Sequence, residues 1–266
     1  YLKNFTIFLP LFLNYTSWSS LVYGKLLIAF ILFSFLASSI YIINDLADLE
    51  VDRKHIKKRF RPIASGNITK NNSIKIFVIL SFISLFLFFI IFDYKVFLLT
   101  ITYFILNFFY SYFLKKIKYF EILIVSSGFI IRLFIGAIIS QCEISNFFVL
   151  QIILFTSFIL ICKRREFNYC FEKNNFSIYN IKELNLLAKI LLLLNIFTYF
   201  MYLFDNNRFI QSYSLELSFI LFSILISRYF YLNFQNKNFD PISIYLSDKY
   251  LIFCSITYLI NFLLGF

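Results

Sequence analysis

Nine runs of apolar residues, each close to the length that crosses a lipid bilayer, recur along this chain of 266 residues. They fall at about 4–20, 24–46, 74–92, 95–114, 120–140, 147–163, 184–204, 213–233 and 249–266, and a membrane helix needs roughly 17–25 residues. Hydrophobic residues make up 61% of the chain and charged ones 15%, against about half and one quarter in a soluble domain. One soluble core cannot hide that much apolar surface, so lipid is the solvent that fits. A barrel would need strict alternation over segments of about ten residues, and the runs do not alternate. Helices satisfy every backbone hydrogen bond internally, as lipid demands. The expectation is an all-α, polytopic membrane protein, one domain over residues 1–266.

The net charge of +11 does not point to nucleic acid, because the cations lie in short loops between apolar runs. Four such loops carry Arg53 to Lys75, Lys115 to Lys118, Lys163 to Lys189, and Arg228 to Lys249. Of the 25 Lys and Arg residues, only Lys25, Lys95 and Arg208 fall in the alternate loops, and Arg132 falls inside a span. Cytoplasmic loops are the basic ones, so these four loops and the N-terminus are expected on the cytoplasmic side. Cys142, Cys162, Cys170 and Cys254 have no paired or metal-type spacing, which leaves no disulfide framework and no zinc site. The chain begins at Tyr1, and residues are expected to precede it. Nothing near its start reads as a cleavable signal peptide.

Chemistry concentrates where the second run ends. Asn44, Asp45, Asp48 and Asp52 follow one another on a helix, and at about 100° per residue the three carboxylates fall near 0°, 300° and 340°, on one face. Clustered carboxylates repel, and a cation among them removes the conflict. Magnesium takes one or two carboxylates together with substrate phosphates. The acids run into Arg53, Lys54, His55, Lys57, Lys58, Arg59 and Arg61, then Pro62-Ile63-Ala64-Ser65-Gly66. Acids followed by cations suit a magnesium-bound pyrophosphate: the metal bridges from the acids and the cations clamp the remaining oxygens. His55, the only histidine, stands where it could donate to phosphate. Further on, Glu121, Gly128 and Arg132 share one helical stripe, and a charge inside a span is a functional-site hypothesis by default. Lys163-Arg164-Arg165-Glu166 reads as a topology signal, while Asp240-Pro241 and Asp248 read as a turn and a helix start.

The run Asn44-Asp45-Leu46-Ala47-Asp48-Leu49-Glu50-Val51-Asp52 resembles the first Asp-rich motif of the UbiA-type membrane prenyltransferases. The continuation through Arg53, His55 and Lys58-Arg59-Phe60-Arg61-Pro62-Ile63-Ala64-Ser65-Gly66 is similar to one branch, the decaprenyl-phosphate phosphoribosyltransferases. Tyr110-Ser111 with Leu114-Lys115, Ser127-Gly128-Phe129 with Arg132 and Gly136, Lys163-Arg164, Arg228-Tyr229 and Asp248 continue the likeness. The resemblance implies a nine-helix bundle around a central cavity, in a bacterial cytoplasmic membrane, with its site facing the cytoplasm. It implies Mg²⁺, 5-phosphoribosyl-1-pyrophosphate as donor, a polyprenyl phosphate as acceptor and a place in cell-wall synthesis; a homo-oligomer stays open. Asn44, Asp45, Asp48 and Asp52 would hold Mg²⁺-pyrophosphate. Arg53, Lys58, Arg59 and Arg61 would clamp phosphate. Tyr110, Lys115, Glu121, Arg132, Lys163 and Arg164 would form the second motif and phosphate pocket. Two positions depart from the branch: Ile56 stands where it usually has Pro, and Glu121 where it has Asp. A single carboxylate in that second region counts against an allylic diphosphate donor, as an aromatic prenyltransferase would use. A transporter or scaffold is a third reading, disfavoured because the charges gather at one face and form no path across the bilayer.

Overall fold

The structure is a computed structural model, and it describes residues 2–13, 19–55, 58–171, 180–205, 213–235 and 241–264. Ile56, Lys57, Lys173, Arg208, Lys237 and Asp240 lie outside them. The described residues are helical, without strands. They form two compact units, Tyr1–Glu143 and Ile144–Phe266.

The first unit opens with a 3₁₀ segment, Leu2–Phe8, and a short helix α1, Leu9–Leu13. Then come α2 (Ser20–Ala47), α3 (Leu49–Lys54), α4 (Lys70–Ile91), α5 (Tyr94–Tyr112) and α6 (Phe120–Ser140). In both α2 and α6, 56% of the apolar stretch is buried, against 17% in α4, so α2 and α6 are the inner helices. Leu26, Ala29, Phe33, Leu36 and Ile40 of α2 pack with Ile7, Phe88, Tyr103, Ile131 and Ile135. The outward side chains of α4, such as Phe82, Phe86, Phe89 and Ile90, are exposed apolar surface suited to lipid. The second unit holds α7 (Asn146–Phe171), α8 (Ile181–Asp205), α9 (Tyr213–Gln235), α10 (Pro241–Ser247) and α11 (Lys249–Leu264). Hydrogen bonds tie its helices where no hydrophobic driving force acts between them. Gln151 of α7 donates to Asn195 of α8 at 3.1 Å, and Tyr199 of α8 pairs with Ser218 of α9 at 3.0 Å.

Seven helices among the described residues are long and apolar enough to cross a membrane: α2, α4, α5, α6, α7, α8 and α9. They account for seven of the nine expected runs. Of the run at 4–20 the described residues give the 3₁₀ segment and the five-residue α1. Of the last run they give α11, an apolar helix of 16 residues.

The 3₁₀ segment is seated on α6 by Gly136. A Cβ on that glycine would lie 2.0 Å from the carbonyl oxygen of Ile7 and 3.2 Å from Pro10 Cδ. Backbone meets backbone there, and no rotamer change relieves the clash. Gly136→Ala is therefore expected to lower stability in detergent by about 2 kcal/mol, as overpacked cores do. Thermal unfolding followed by circular dichroism checks this; an unchanged midpoint would show the segment not to be docked.

In the second unit Asp248 begins α11 as a cap. Its Oδ1 accepts the Leu251 N–H at 3.0 Å, and its Oδ2 accepts Arg228 Nη2–H at 2.8 Å and Nε–H at 3.2 Å. Desolvation alone would raise its pKa, but Arg228 and the N–H groups of Leu251 and Tyr250 outweigh it and hold the carboxyl below its ordinary value. A carboxyl depressed in the fold stabilises at neutral pH, and that stabilisation is lost as pH falls through its folded pKa. Asp248→Asn should thus cost about 1 kcal/mol at pH 7 and progressively less in acid. Unfolding midpoints of both proteins across the acid range decide it; a gap that stays constant with pH contradicts the pairing.

Candidate active site

The Asp-rich run does not continue as one helix. α2 ends at Ala47, Asp48 takes φ −95° and ψ 3°, and α3 restarts at Leu49. The turn is tied by Asp48 N–H to Asn44 O at 3.0 Å and by Asp52 N–H to Asp48 O at 2.8 Å. Within this turn the three carboxylates divide between two cations. Asp45 and Asp52 look to one cation, and Asp48 looks to another.

That first cation is Arg61. Its Nη1 donates to Asp45 Oδ1 at 2.7 Å and to Asp52 Oδ2 at 2.8 Å. Lys58 Nζ lies 3.9 Å from the other oxygen of Asp52, whose side chain is 2% exposed. The loop that delivers Arg61 is built locally. His55, ending α3, accepts the Lys58 N–H on Nδ1 at 3.3 Å, which leaves Nε2 as its donor. Lys58–Phe60 form one 3₁₀ turn. Ile63 and Ala64 then pack on Leu49 of α3 and on Ile42 and Leu46 of α2. Gly66 closes the loop at φ 85°, in the region that favours glycine. This small apolar clasp fixes the backbone on either side of Arg61.

The second cation is Lys115, from a 3₁₀ turn (Leu114–Lys116) that follows α5. Its Nζ pairs with Asp48 Oδ1. Lys115 and Asp48 belong to separate sequence motifs, 67 residues apart, and the fold brings them together. Glu121 sits in the first turn of α6, and Tyr110 lies near the end of α5, both half-buried. Arg53 faces outward in a 3.7 Å pair with exposed Glu50. Arg59 is exposed over the Phe60 ring at 4.8 Å.

Arg132 does not join this cluster. It lies eleven residues into α6 beyond Glu121, about 16 Å along the helix, and is 5% exposed. Its Nε–H donates to Asn4 Oδ1 at 2.8 Å, Nη1 to Gly128 O at 2.6 Å and Nη2 to the Tyr103 hydroxyl at 3.1 Å. The guanidinium also lies beside the paired rings of Phe33 and Tyr103, 4.6 and 4.8 Å from their centres. Asn4 passes the network on to Ser34 at 2.9 Å. Among the described residues Arg132 makes no ion pair. In the second unit Lys163 is exposed and Arg164 half-buried on α7, and the next cation, Arg165, is the buried one. Arg165, 4% exposed, donates to Asn185 at 2.7 Å and to the Asn233 carbonyl at 2.6 Å, with its guanidinium 3.6 Å from the Phe234 ring centre. Three consecutive cations on a helix span about 200°, more than half of its circumference, so an inward-facing one is a fair expectation.

Among the described residues no three His, Cys, Asp or Glu side chains are grouped closely enough to hold a metal ion by themselves. Asp45 and Asp52 nonetheless aim oxygens at one point, the Arg61 Nη1 atom. Two convergent carboxylates fit magnesium, which completes its shell with water and substrate phosphate.

The profile of the UbiA prenyltransferase family matches residues 4–172. The chain belongs to this family. The match takes in the whole Asp45–Arg61 cluster, Lys115, Arg132 and Lys163-Arg164. Over 144 residues the chain is 31% identical to the decaprenyl-phosphate phosphoribosyltransferase of Mycobacterium tuberculosis, covering 54% of this chain and 47% of that protein. Its identity to the protein of the same name in Corynebacterium glutamicum is 36% over 124 residues, 46% of this chain and 37% of the relative. The matched stretch thus spans about half the length of the first of these relatives, or less. A solved UbiA homologue from Archaeoglobus fulgidus, bound to DMAPP and Mg²⁺, shares the fold with a TM-score of 0.73 at 16% identity, covering 99% of this chain and 93% of that one. This UbiA-family chain is accordingly a multi-pass membrane protein with the helical fold of its relatives.

The Asn4 contact can be tested directly. Asn4→Leu removes one acceptor from a buried guanidinium and should cost about 2 kcal/mol. Thermal unfolding in detergent measures it, and a midpoint within error of wild type would show that Asn4 is not an essential acceptor.

Proposed function

We propose that the chain is a Mg²⁺-dependent transferase that moves a 5-phosphoribosyl group from 5-phosphoribosyl-1-pyrophosphate to a polyprenyl phosphate, releasing pyrophosphate. The observation that carries the reading is the interleaving of acids and cations at the end of α2: Asp45 and Asp52 on Arg61 and Lys58, and Asp48 on Lys115. That alternation suits a ligand bearing several phosphates and a hard cation. The names of the mycobacterial and corynebacterial relatives support the sugar donor. We place the site on the cytoplasmic face of the membrane, because the basic loops gather there.

Asp45 and Asp52 would hold Mg²⁺, which neutralises charge on a departing pyrophosphate. Arg61, Lys58 and Lys115 would stabilise the same developing charge. The bond from the ribose anomeric carbon to the pyrophosphate oxygen breaks, and its electron pair leaves with pyrophosphate. A phosphate oxygen of the lipid forms the new bond to that carbon. The acceptor is already anionic, so the step needs no strong general base. The reaction then depends on positioning, which the loop clasp and the Lys115 turn provide on the protein's side.

A second reading has its own observation: the Archaeoglobus structure holds DMAPP, an allylic diphosphate, with Mg²⁺. An aromatic prenyltransferase would use the same acids. The two separate in one assay. Purified protein is given Mg²⁺ and labelled 5-phosphoribosyl-1-pyrophosphate, with and without a long polyprenyl phosphate. A labelled lipid formed only with the polyprenyl phosphate supports the ribosyl reading, and Asp45→Ala should lower its rate by about 100-fold or more. Full activity in that variant would remove the site from the mechanism. Consumption of polyprenyl diphosphate with an aromatic acid, and no ribosyl lipid, would transfer the assignment to the second reading.

A further inference from the structure

We infer that Arg61 is an exchangeable counter-cation: it holds the metal position of the acidic pair until a divalent ion arrives, then moves onto the phosphate that the ion brings. The inference rests on reading this cluster as a metal and diphosphate site; whether the donated group is a sugar or a prenyl chain does not enter it.

One nitrogen of Arg61 touches both carboxylates, at 2.7 and 2.8 Å. Magnesium binds carboxylate oxygens at about 2.0–2.1 Å, so an ion ligated by the same two oxygens needs the space that Nη1 fills. Two cations cannot share it, since they would occupy the same volume and repel each other. Metal binding therefore displaces the guanidinium. Displacement does not send it far. The backbone around Arg61 is anchored by Ile63 and Ala64 against Leu49, Ile42 and Leu46, and by Ser65 N–H to Arg61 O at 2.8 Å. Only the side chain is free to swing, and its stem keeps the fork within reach of a phosphate bound to the same ion. A guanidinium matches phosphate with two parallel hydrogen bonds. Lys58 is differently placed. At 3.9 Å from Asp52 Oδ1 it adds positive charge without filling the point between the acids.

Arg61 thus opposes the free metal and favours the metal with diphosphate, and the two effects of removing it have opposite signs. Mn²⁺ binding to the purified full chain is measured by electron paramagnetic resonance, with and without inorganic pyrophosphate. Arg61→Gln should tighten Mn²⁺ alone by about tenfold and weaken pyrophosphate in the presence of Mn²⁺ by about as much. Lys58→Gln, which removes an equal charge, should tighten Mn²⁺ clearly less. Weaker or unchanged Mn²⁺ binding in Arg61→Gln overturns the inference, as does an equal effect from Lys58→Gln, which would reduce it to general electrostatics. A measurement on the unaltered protein covers the case in which Arg61→Gln does not fold. Dicarbonyl modification of Arg61, read by peptide mass spectrometry, should rise with Mg²⁺ alone and fall again when pyrophosphate is added. Modification indifferent to Mg²⁺ overturns it equally. None of these readouts requires turnover, so failure of the phosphoribosyl assay leaves them interpretable.

Discussion

A positive charge among membrane helices has to find its oxygens inside the protein, and that demand organises much of this molecule. Lipid supplies no acceptors, and the helical backbone has already spent most of its own carbonyls on itself. The chain meets the demand in two ways. Where a cation is structural, it is surrounded by neutral acceptors and aromatic faces, as Arg132 is by Asn4, Gly128, Tyr103 and Phe33, and Arg165 by Asn185, Asn233 and Phe234. Where a cation belongs to the acidic cluster, it is paired with carboxylates, as Arg61 and Lys115 are. Neutral acceptors give a permanent joint, since no ligand competes for a guanidinium so enclosed. A carboxylate partner can itself be claimed by a metal ion.

Much of the fold was legible because lipid simplifies the code. Seven of the nine apolar runs became helices of spanning length, and their bounds moved by only a few residues. α4 starts at Lys70, ahead of the apolar run, because Thr69 caps it by accepting the Asn72 N–H at 3.3 Å. α7 carries on through Lys163 to Phe171, since a charged stretch beyond the apolar run can still be a good helix. At the first run the 3₁₀ form of Leu2–Phe8 leaves no mark in composition, and it is the bare backbone of Gly136 that lets this segment lie flush against α6.

The site was legible in its residue types and not in its partnerships. Asp45, Asp48, Asp52, Lys58, Arg61 and Lys115 are all legible as chemistry-bearing, and all six enter ion pairs with one another, in two groups. Helical phase says nothing of the turn at Asp48, where α2 gives way to α3, nor of which cation each acid meets. Phase likewise grouped Arg132 with Glu121 correctly by angle while ignoring the distance along the helix. The pairings across long stretches of chain, Lys115 with Asp48 and Arg132 with Asn4, leave no local mark. Each is a product of how α2, α5 and α6 pack.

That last pairing also bears on the order in which the protein can be made. Asn4 leaves the ribosome well before the guanidinium it serves, which is 128 residues downstream, and the glycine that admits its segment lies further still. At some 5–20 residues per second, the Asn4 segment waits on the order of ten seconds before its berth exists. Until α6 is inserted, the Asn4 side-chain oxygen and the Tyr103 hydroxyl lack the guanidinium that meets them in the first unit. Closure of that unit therefore waits on the arrival of α6, and the Asn4 segment, made long before it, locks after it.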